Sequence, residues 1–312
     1  MDDLPDGSRL GHTPMTGARR THWRMTADRS LDLTRPVVMG VLNTTPDSFH
    51  AGGRLLDPEA AHARALEMIE QGAGIIDIGG ESTRPGADRI SAEEQIRRTK
   101  PVIKALRSVS DIVISIDTTS AEVARSALEA GADIINDVSG GEEDPTVLSL
   151  AAETGAGLVL MHRLLPPDQD VYSHLHPTEP EYGSGGVVPA VREGLGTLLD
   201  RAVAAGVSSD HIVLDPGFGF GKSVDQNFEL LHSLSSLAPP SAPEVPLLVG
   251  VSRKSFIGAV LGDRPVDDRL AGSLAAGLLG AREGASIIRT HDVRETADTL
   301  AVLAASQRTS RC

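Results

Sequence analysis

Cysteine is almost missing from the 312 residues: the only one is Cys312, the last residue. A single thiol cannot build a disulfide framework, an iron–sulfur cluster or a thiolate zinc site. Aromatic side chains are also sparse, with one Trp, two Tyr and five Phe, too few for base-stacking platforms along a nucleic acid. Positive charge is short as well: 29 Lys and Arg stand against 43 Asp and Glu, a net charge of −14. Such a chain repels a polyanion, so no nucleic-acid partner is expected, and an anionic ligand would need a local cluster of cations. Long hydrophobic runs are absent too. The longest mostly apolar, uncharged stretch, residues 270–281, is closed off by Arg269 and Arg282 and falls short of the roughly 20 residues that cross a bilayer. The start of the chain is acidic, with Asp2, Asp3 and Asp6 and no apolar segment, so neither a membrane nor secretion is expected and the cytoplasm is the expected location.

What the chain does contain is apolar material and punctuation: 40% hydrophobic residues, 32 Gly and 19 Pro. The length allows two domains or one α/β barrel. Residues 1–36 have no sustained apolar period and read as a flexible arm with a lead-in around 22–33. From Val37 onward, short β-branched runs at 37–42, 75–78, 112–116, 134–135, 158–161, 212–214, 247–251 and 287–288 alternate with helix-like stretches at 57–71, 91–108, 121–130, 145–153, 187–205, 224–237, 267–283 and 293–306. Strict alternation implies a parallel sheet, and eight units over residues 37–306 suit a single-domain (β/α)8 TIM barrel, with 307–312 left as a tail. An open doubly wound sheet is the rival, but its glycine-rich fingerprint is missing after the first strand, where the chain reads Asn43-Thr-Thr-Pro-Asp47. In a barrel, chemistry sits at the C-terminal ends of the strands.

Those ends carry Asn43, Asp77 with Glu81, Asp117, Asn136 with Asp137, His162, Asp215, Arg253 with Lys254, and Arg289 with His291. Asp and Asn commonly cap the helix that follows, and for Asp77 and Asp137 that structural role is as good an account as a functional one. Capping explains less well why Lys254, Arg289 and His291 gather there. Cations beside carboxylates at one barrel mouth suit an anion held next to a hydrogen-bonding heterocycle. Other patterns are weaker. The Asp215–Ser223 segment resembles a phosphate-binding loop but has Pro216 where that motif needs Gly. His174 and His176 lie in a Pro-rich loop without a thiolate partner, which argues against zinc. Ser252-Arg-Lys-Ser255 could suggest a nucleophile, yet no histidine is near it in sequence.

Taken in order, eight segments resemble the pterin-binding enzyme family, and within it dihydropteroate synthases. They are Met39-Gly-Val-Leu-Asn-Thr-Thr-Pro-Asp-Ser-Phe49 with Gly52-Gly53, Gly79-Gly-Glu-Ser-Thr-Arg-Pro-Gly86, Ser115-Ile-Asp-Thr118, Asn136-Asp-Val-Ser-Gly-Gly141, Leu160-Met-His162, Asp215-Pro-Gly-Phe-Gly-Phe-Gly-Lys222, Gly250-Val-Ser-Arg-Lys-Ser255 and Arg289-Thr-His-Asp292. The resemblance implies a barrel transferase of folate biosynthesis that joins 6-hydroxymethyl-7,8-dihydropterin diphosphate to 4-aminobenzoate with help from Mg2+, and a homodimer. It implies Asp117, Asn136 and Asp215 as acceptors for the pterin N–H edge, Lys254 as a donor to it, Gly250 beside it, and Met161 and Phe220 sandwiching its face. Arg289 and His291 would grip the departing diphosphate together with magnesium on Asn43, which with Lys254 makes them the catalytic set. Phe49, Thr83, Arg84, Pro85 and Ser255 would form the 4-aminobenzoate pocket, a target for competing sulfonamides. On this reading Arg289→Ala spares simple pterin binding and cuts turnover, whereas Lys254→Ala and Asp215→Ala weaken pterin binding.

The resemblance leaves two alternatives: a pterin-binding paralogue that is catalytically idle or uses another aromatic amine, and a methyltetrahydrofolate methyltransferase serving a corrinoid protein. The latter has no diphosphate to bind, which Arg84, Arg289 and His291 together argue against. The chain departs from the family pattern in the first loop, where Thr44 replaces Val and His50-Ala51 replace Ser-Asp. The lost carboxylate at Ala51 predicts weaker magnesium affinity, because Mg2+ strongly prefers oxygen ligands. Residues 163–186 match nothing in the family pattern.

Overall fold

The computed structural model describes residues 19–26, 28–44 and 58–309. The first elements are an antiparallel hairpin, β1 (His22–Thr26) and β2 (Arg29–Asp32). Eight parallel strands follow: β3 (Val37–Asn43), β4 (Ile75–Gly79), β5 (Val113–Asp117), β6 (Ile134–Asp137), β7 (Gly157–Met161), β8 (Ile212–Asp215), β9 (Leu248–Val249) and β10 (Ile287–Thr290). From β3 to β8 each strand pairs with the next, and β10 pairs with both β3 and β9. A parallel bridge between Leu214 and Leu247 joins β8 to the approach to β9 and closes the ring. The expected (β/α)8 barrel is therefore the fold.

Around it run α1 (Pro58–Glu70), α2 (Ala92–Arg107), α3 (Ala121–Ala130), α4 (Thr146–Thr154), α5 (Val187–Ala204), α6 (Val224–His232), α7 (Ser255–Val260), α8 (Leu270–Arg282) and α9 (Val293–Thr309). Their limits follow local chemistry. The Ser223 hydroxyl accepts from the Gln226 amide while the Gln226 side chain accepts from the Ser223 N–H, which starts α6. Gly131 ends α3 at φ +112°, and a Cβ there would stand 2.8 Å from Arg107 Cγ. Three expectations shift. The helix expected over 224–237 stops at His232 and gives way to a 3-10 turn. That expected from 267 begins at Leu270, after another such turn. The tail expected from 307 continues α9 as far as Thr309.

Alternation along the strands sets the interior. One residue from each barrel strand, Met39, Ile75, Val113, Ile134, Val159, Val213, Leu248 and Ile287, joins a single buried apolar cluster. Each such side chain contributes about 1.5–3 kcal/mol by leaving water. Trp23 and Met25 of β1 belong to the same cluster, both fully buried, with the Trp23 indole N–H donating to the His211 carbonyl at 2.8 Å. This corrects the reading of 22–33 as a lead-in outside the barrel: the hairpin is the plug of its lower end. Gly157 makes room for it, since a Cβ there would lie 3.2 Å from both Met25 and Trp23. Residues 1–18 lie outside the described part of the chain.

Candidate active site

Two residues further along five of the eight strands, the same inward alternation turns polar. Asp77 follows Ile75, Ser115 follows Val113, Asn136 follows Ile134, Asp215 follows Val213 and Arg289 follows Ile287. A packed apolar layer thus forms the floor under a layer of charged groups, at the end of the barrel where catalytic groups collect.

Arg289 organises that layer. Its Nε donates to Asp77 Oδ2 and its Nη2 to Asp117 Oδ2, each at 2.7 Å, and Asn136 Nδ2 donates to the same Asp77 oxygen at 3.1 Å. The second oxygens of both carboxylates, Asp77 Oδ1 and Asp117 Oδ1, are buried without a partner, as is the Ser115 hydroxyl. Buried acceptors of this kind are costly unless a donor arrives, and they fit a ligand edge rich in N–H groups. Burial pushes the Asp117 carboxyl up to about 7 despite Arg289, with the charge on Asp77 adding to the rise. Arg289 is held firmly protonated, because the two carboxylates outweigh the cost of its burial.

Asp215 is also raised by burial, opposed by the Gly217 N–H it accepts at 2.7 Å and by Lys254 and Arg289. The Lys254 ammonium sits 4.1 Å from the centre of the Phe220 ring, and burial with the charge of Arg289 brings it down to about 8. Gly219, at φ +78°, leaves room for that side chain: a Cβ would come within 3.1 Å of Lys254 Cδ. Beneath this loop Lys222 is fully buried and donates to the carbonyls of Gly217 and Phe220, both at 2.9 Å. It ties the loop down and does not face a phosphate, in keeping with the weakness of the P-loop pattern.

A cleft of about 490 Å³ opens above these groups. Of the residues expected in the site, Asn43, Thr83, Arg84, Pro85, Phe220, Gly250, Lys254, Ser255, Arg289 and His291 line it. Asp117, Asn136, Met161 and Asp215 are buried beside it. Asp117 is reached through Arg289, and Asp215 Oδ2 lies 4.0 Å from where a Cβ on Gly250 would stand. Met161 and Phe220 belong to one small buried apolar cluster with Val138. Phe49 and Ala51 lie outside the described residues.

Several lining residues were not placed in the site by the sequence. Asp77 was noted at a strand end, and the structure decides its role: it is fully buried and joins Arg289 to Asn136. Asp137, in contrast, is structural, its carboxylate accepting from Ser139 and Gly141. Tyr172 and His174 reach the cleft from the long loop after β7, their rings stacked at 6.2 Å. That loop is pinned where the Asp170 carboxylate accepts from the Gly221 N–H and where the Pro167 carbonyl accepts from the Gly86 N–H. Ser252 and Arg269 line it as well. Among the described residues no group of three or more His, Cys, Asp or Glu is placed to hold a metal.

A barrel whose mouth presents paired buried carboxylates, a lysine over an aromatic ring and cations at the rim defines an enzyme for a flat N–H-rich heterocycle with an anionic tail. The chain belongs to the pterin-binding enzyme family, whose profile matches residues 39–291. It is similar to the dihydropteroate synthase of Mycobacterium leprae, 45% identical over 86% of this chain and 92% of that protein. The dihydropteroate synthase of Xanthomonas albilineans solved with 4-aminobenzoic acid is 41% identical, with a TM-score of 0.82 over 92% of this chain and 99% of that one. That of Burkholderia cenocepacia solved with 7,8-dihydropteroate is 41% identical, with a TM-score of 0.80 over 91% and 95%.

Proposed function

We infer that the chain condenses 6-hydroxymethyl-7,8-dihydropterin diphosphate with 4-aminobenzoate, giving 7,8-dihydropteroate and diphosphate. The observation that carries this is the pair of orphaned carboxylate oxygens on Asp77 and Asp117, buried next to Asn136 and Asp215 and roofed by Arg289. A pterin offers N–H donors along one edge, and ionised acceptors held by an arginine bind such an edge strongly. Lys254 supplies a donor for the ring's own acceptors, and the Met161–Phe220 cluster receives its flat face.

The reaction breaks the bond from the pterin methylene carbon to the diphosphate oxygen, and the electron pair leaves with the diphosphate. Cationic and N–H donors that hold the leaving group more tightly as its charge grows lower the barrier. Arg289 has one amino group, Nη1, left over from its two carboxylates, and His291 stands beside it at the cleft. The pterin ring delocalises the cation left on the methylene carbon, so the protein needs no nucleophile of its own. The amine nitrogen then forms the new C–N bond and loses a proton. Excluding water from the cleft protects the cation from hydrolysis.

Magnesium fits as a substrate-borne ion. Asn43 lines the cleft, and among the described residues no group of three or more His, Cys, Asp or Glu is placed to hold a metal, which suits an ion that takes few protein ligands and completes its shell from phosphate and water. When bound there it would neutralise charge on the diphosphate. We also propose a homodimer through the outward side of α8 and α9, where Leu270, Leu279 and Val302 are exposed. Light scattering after size-exclusion chromatography tests it, and a monomeric mass would remove it. Among the described residues no helix is long and apolar enough to cross a membrane.

The test of the reaction is diphosphate release from the pterin diphosphate in magnesium, with and without 4-aminobenzoate. Release that depends on the amine is expected, with sulfonamides competing against it. No amine-dependent release would overturn the assignment.

A further inference from the structure

Ser252 and His291 come from different strands' ends: Ser252 lies three residues past β9, and His291 directly follows β10. The Ser252 oxygen accepts the backbone N–H of His291 at 3.2 Å and also lies 3.0 Å from its ring Nδ1. Both side chains face the cleft, and Ser252 is buried. We infer that Ser252 is a positioning residue: its hydroxyl donates to Nδ1 and fixes the imidazole of His291 as the neutral tautomer with its proton on Nε2, an uncharged donor aimed at the diphosphate end of the cleft. The role of that donor rests on the diphosphate reading above; the tautomer does not.

The argument is one of counting protons. A serine hydroxyl has one hydrogen and two lone pairs. One lone pair is already taken by the His291 amide. If Nδ1 also carried a proton, the hydroxyl would accept twice while its own hydrogen, buried, would have no acceptor, because Nδ1 is its one acceptor among the described residues. Leaving a buried donor unmade costs its full desolvation. With the hydroxyl donating, every group is satisfied and the remaining proton must sit on Nε2. Burial and the neighbouring charges of Arg289 and Arg253 bring His291 down to about 3, so the ring is neutral near pH 7.

The chemical consequence is a division of labour. Arg289 contributes full charge to the leaving group, and His291 contributes a directed N–H that costs no further repulsion beside the arginine. A wrong tautomer would point a lone pair at an anion. A serine hydrogen-bonded to a histidine is also the geometry of a nucleophile and its base, but among the described residues no carboxylate is bonded to the ring's other nitrogen, and so weakly basic an imidazole accepts a proton poorly.

The test uses the full chain labelled with nitrogen-15 histidine, with the His291 ring assigned by its loss in His291→Gln. The wild type is expected to show the Nε2–H pattern, and Ser252→Ala a mixture of tautomers. In calorimetry with inorganic diphosphate, Ser252→Ala is expected to weaken binding about five- to tenfold. Ser252→Thr restores both readings, and a diphosphate-free pterin binds all three alike. An Nδ1–H ring in the wild type, or an unchanged ring in Ser252→Ala, would overturn the inference. Complete loss of turnover in Ser252→Ala, with a pterinylmethyl ether trapped on the wild-type serine oxygen as diphosphate leaves, would replace it with nucleophilic catalysis. Unaltered diphosphate binding in His291→Gln would instead sink the diphosphate reading and leave the tautomer standing.

Discussion

The backbone N–H of Ser173 donates to the Ser255 hydroxyl at 3.1 Å. The segment after β7 is thereby tied to the first residue of α7, and Asn227 Nδ2 holds the Ser173 hydroxyl from a third side at 3.2 Å. The flanking Tyr172 and His174 rings are therefore presented to the cleft by a backbone anchored on both sides. They line the cleft together with Thr83, Arg84 and Pro85, where the proposed reading puts the aromatic amine.

Tyr172→Ala is accordingly expected to raise KM for 4-aminobenzoate about three- to tenfold, the scale of one aromatic contact. The affinity for a pterin analogue should stay as in the wild type. Steady-state kinetics with the amine varied checks this, and an unchanged KM would place the amine elsewhere.

Asp117 makes stability depend on pH in a calculable direction. In the folded chain it takes up its proton near 7 instead of at its ordinary 3.8. As pH rises from about 4 to about 7, the unfolded chain has already released that proton while the folded chain still holds it, so folding stability falls across that window. Asp117→Asn removes this group. The difference in melting temperature, variant minus wild type, is expected to grow in the variant's favour between pH 4 and pH 7 even as pterin affinity drops. A difference that is flat with pH would mean that Asp117 ionises in the folded chain as it does in water.

Arg289→Ala is expected to weaken binding of a diphosphate-free pterin, contrary to what the sequence alone suggests. The arginine is the counter-ion of Asp77 and Asp117, and without it Asp117 stays protonated at neutral pH and loses its value as an acceptor. A loss of about tenfold or more is expected by calorimetry, alongside the loss shown by Lys254→Ala. Full retention of pterin affinity would show that the carboxylates keep their charge without help.

Trp23→Ala removes the largest side chain of the plug and is expected to cost about 3–5 kcal/mol of stability. Denaturant unfolding reads this directly. KM values should hardly change, because Trp23 lies beneath the apolar floor; a large change in KM with stability intact would contradict the separation of plug from site.

Ala51→Asp restores the carboxylate that the first loop of the family carries. It is expected to lower the magnesium concentration that gives half-maximal rate. An unchanged titration would mean that the metal is held without that position.

Much of the barrel is legible in the sequence because each strand is a β-branched run of the right length, and eight of them alternate with helices. The hairpin is not. Trp23 and Met25 are separated by a single Arg, and only the finished barrel supplies the apolar floor they cover. Helix α7, of six residues, is too short to show a period. In the site, the strand-end residues are legible by position, and the inward alternation that marks Asn136 marks Asp77 equally well. That Arg289 would pair with two carboxylates was not legible, since the partners lie 212 and 172 residues away in the chain. Nor was the reach of Tyr172 and His174, which depends on where a long loop is pinned.

The hairpin under the barrel also governs traffic. With the lower end filled by Trp23 and Met25, the cleft among the described residues opens at the other end of the barrel, and the proposed pterin position is its floor. On the proposed reading the pterin lies deeper than the amine, so an amine that enters first would stand in its way. The order of arrival would then follow from the architecture, and crowding the enzyme with amine would slow it by obstruction. The finished product would then back out along the path by which its halves came in, benzoate end leading and the ring last to let go.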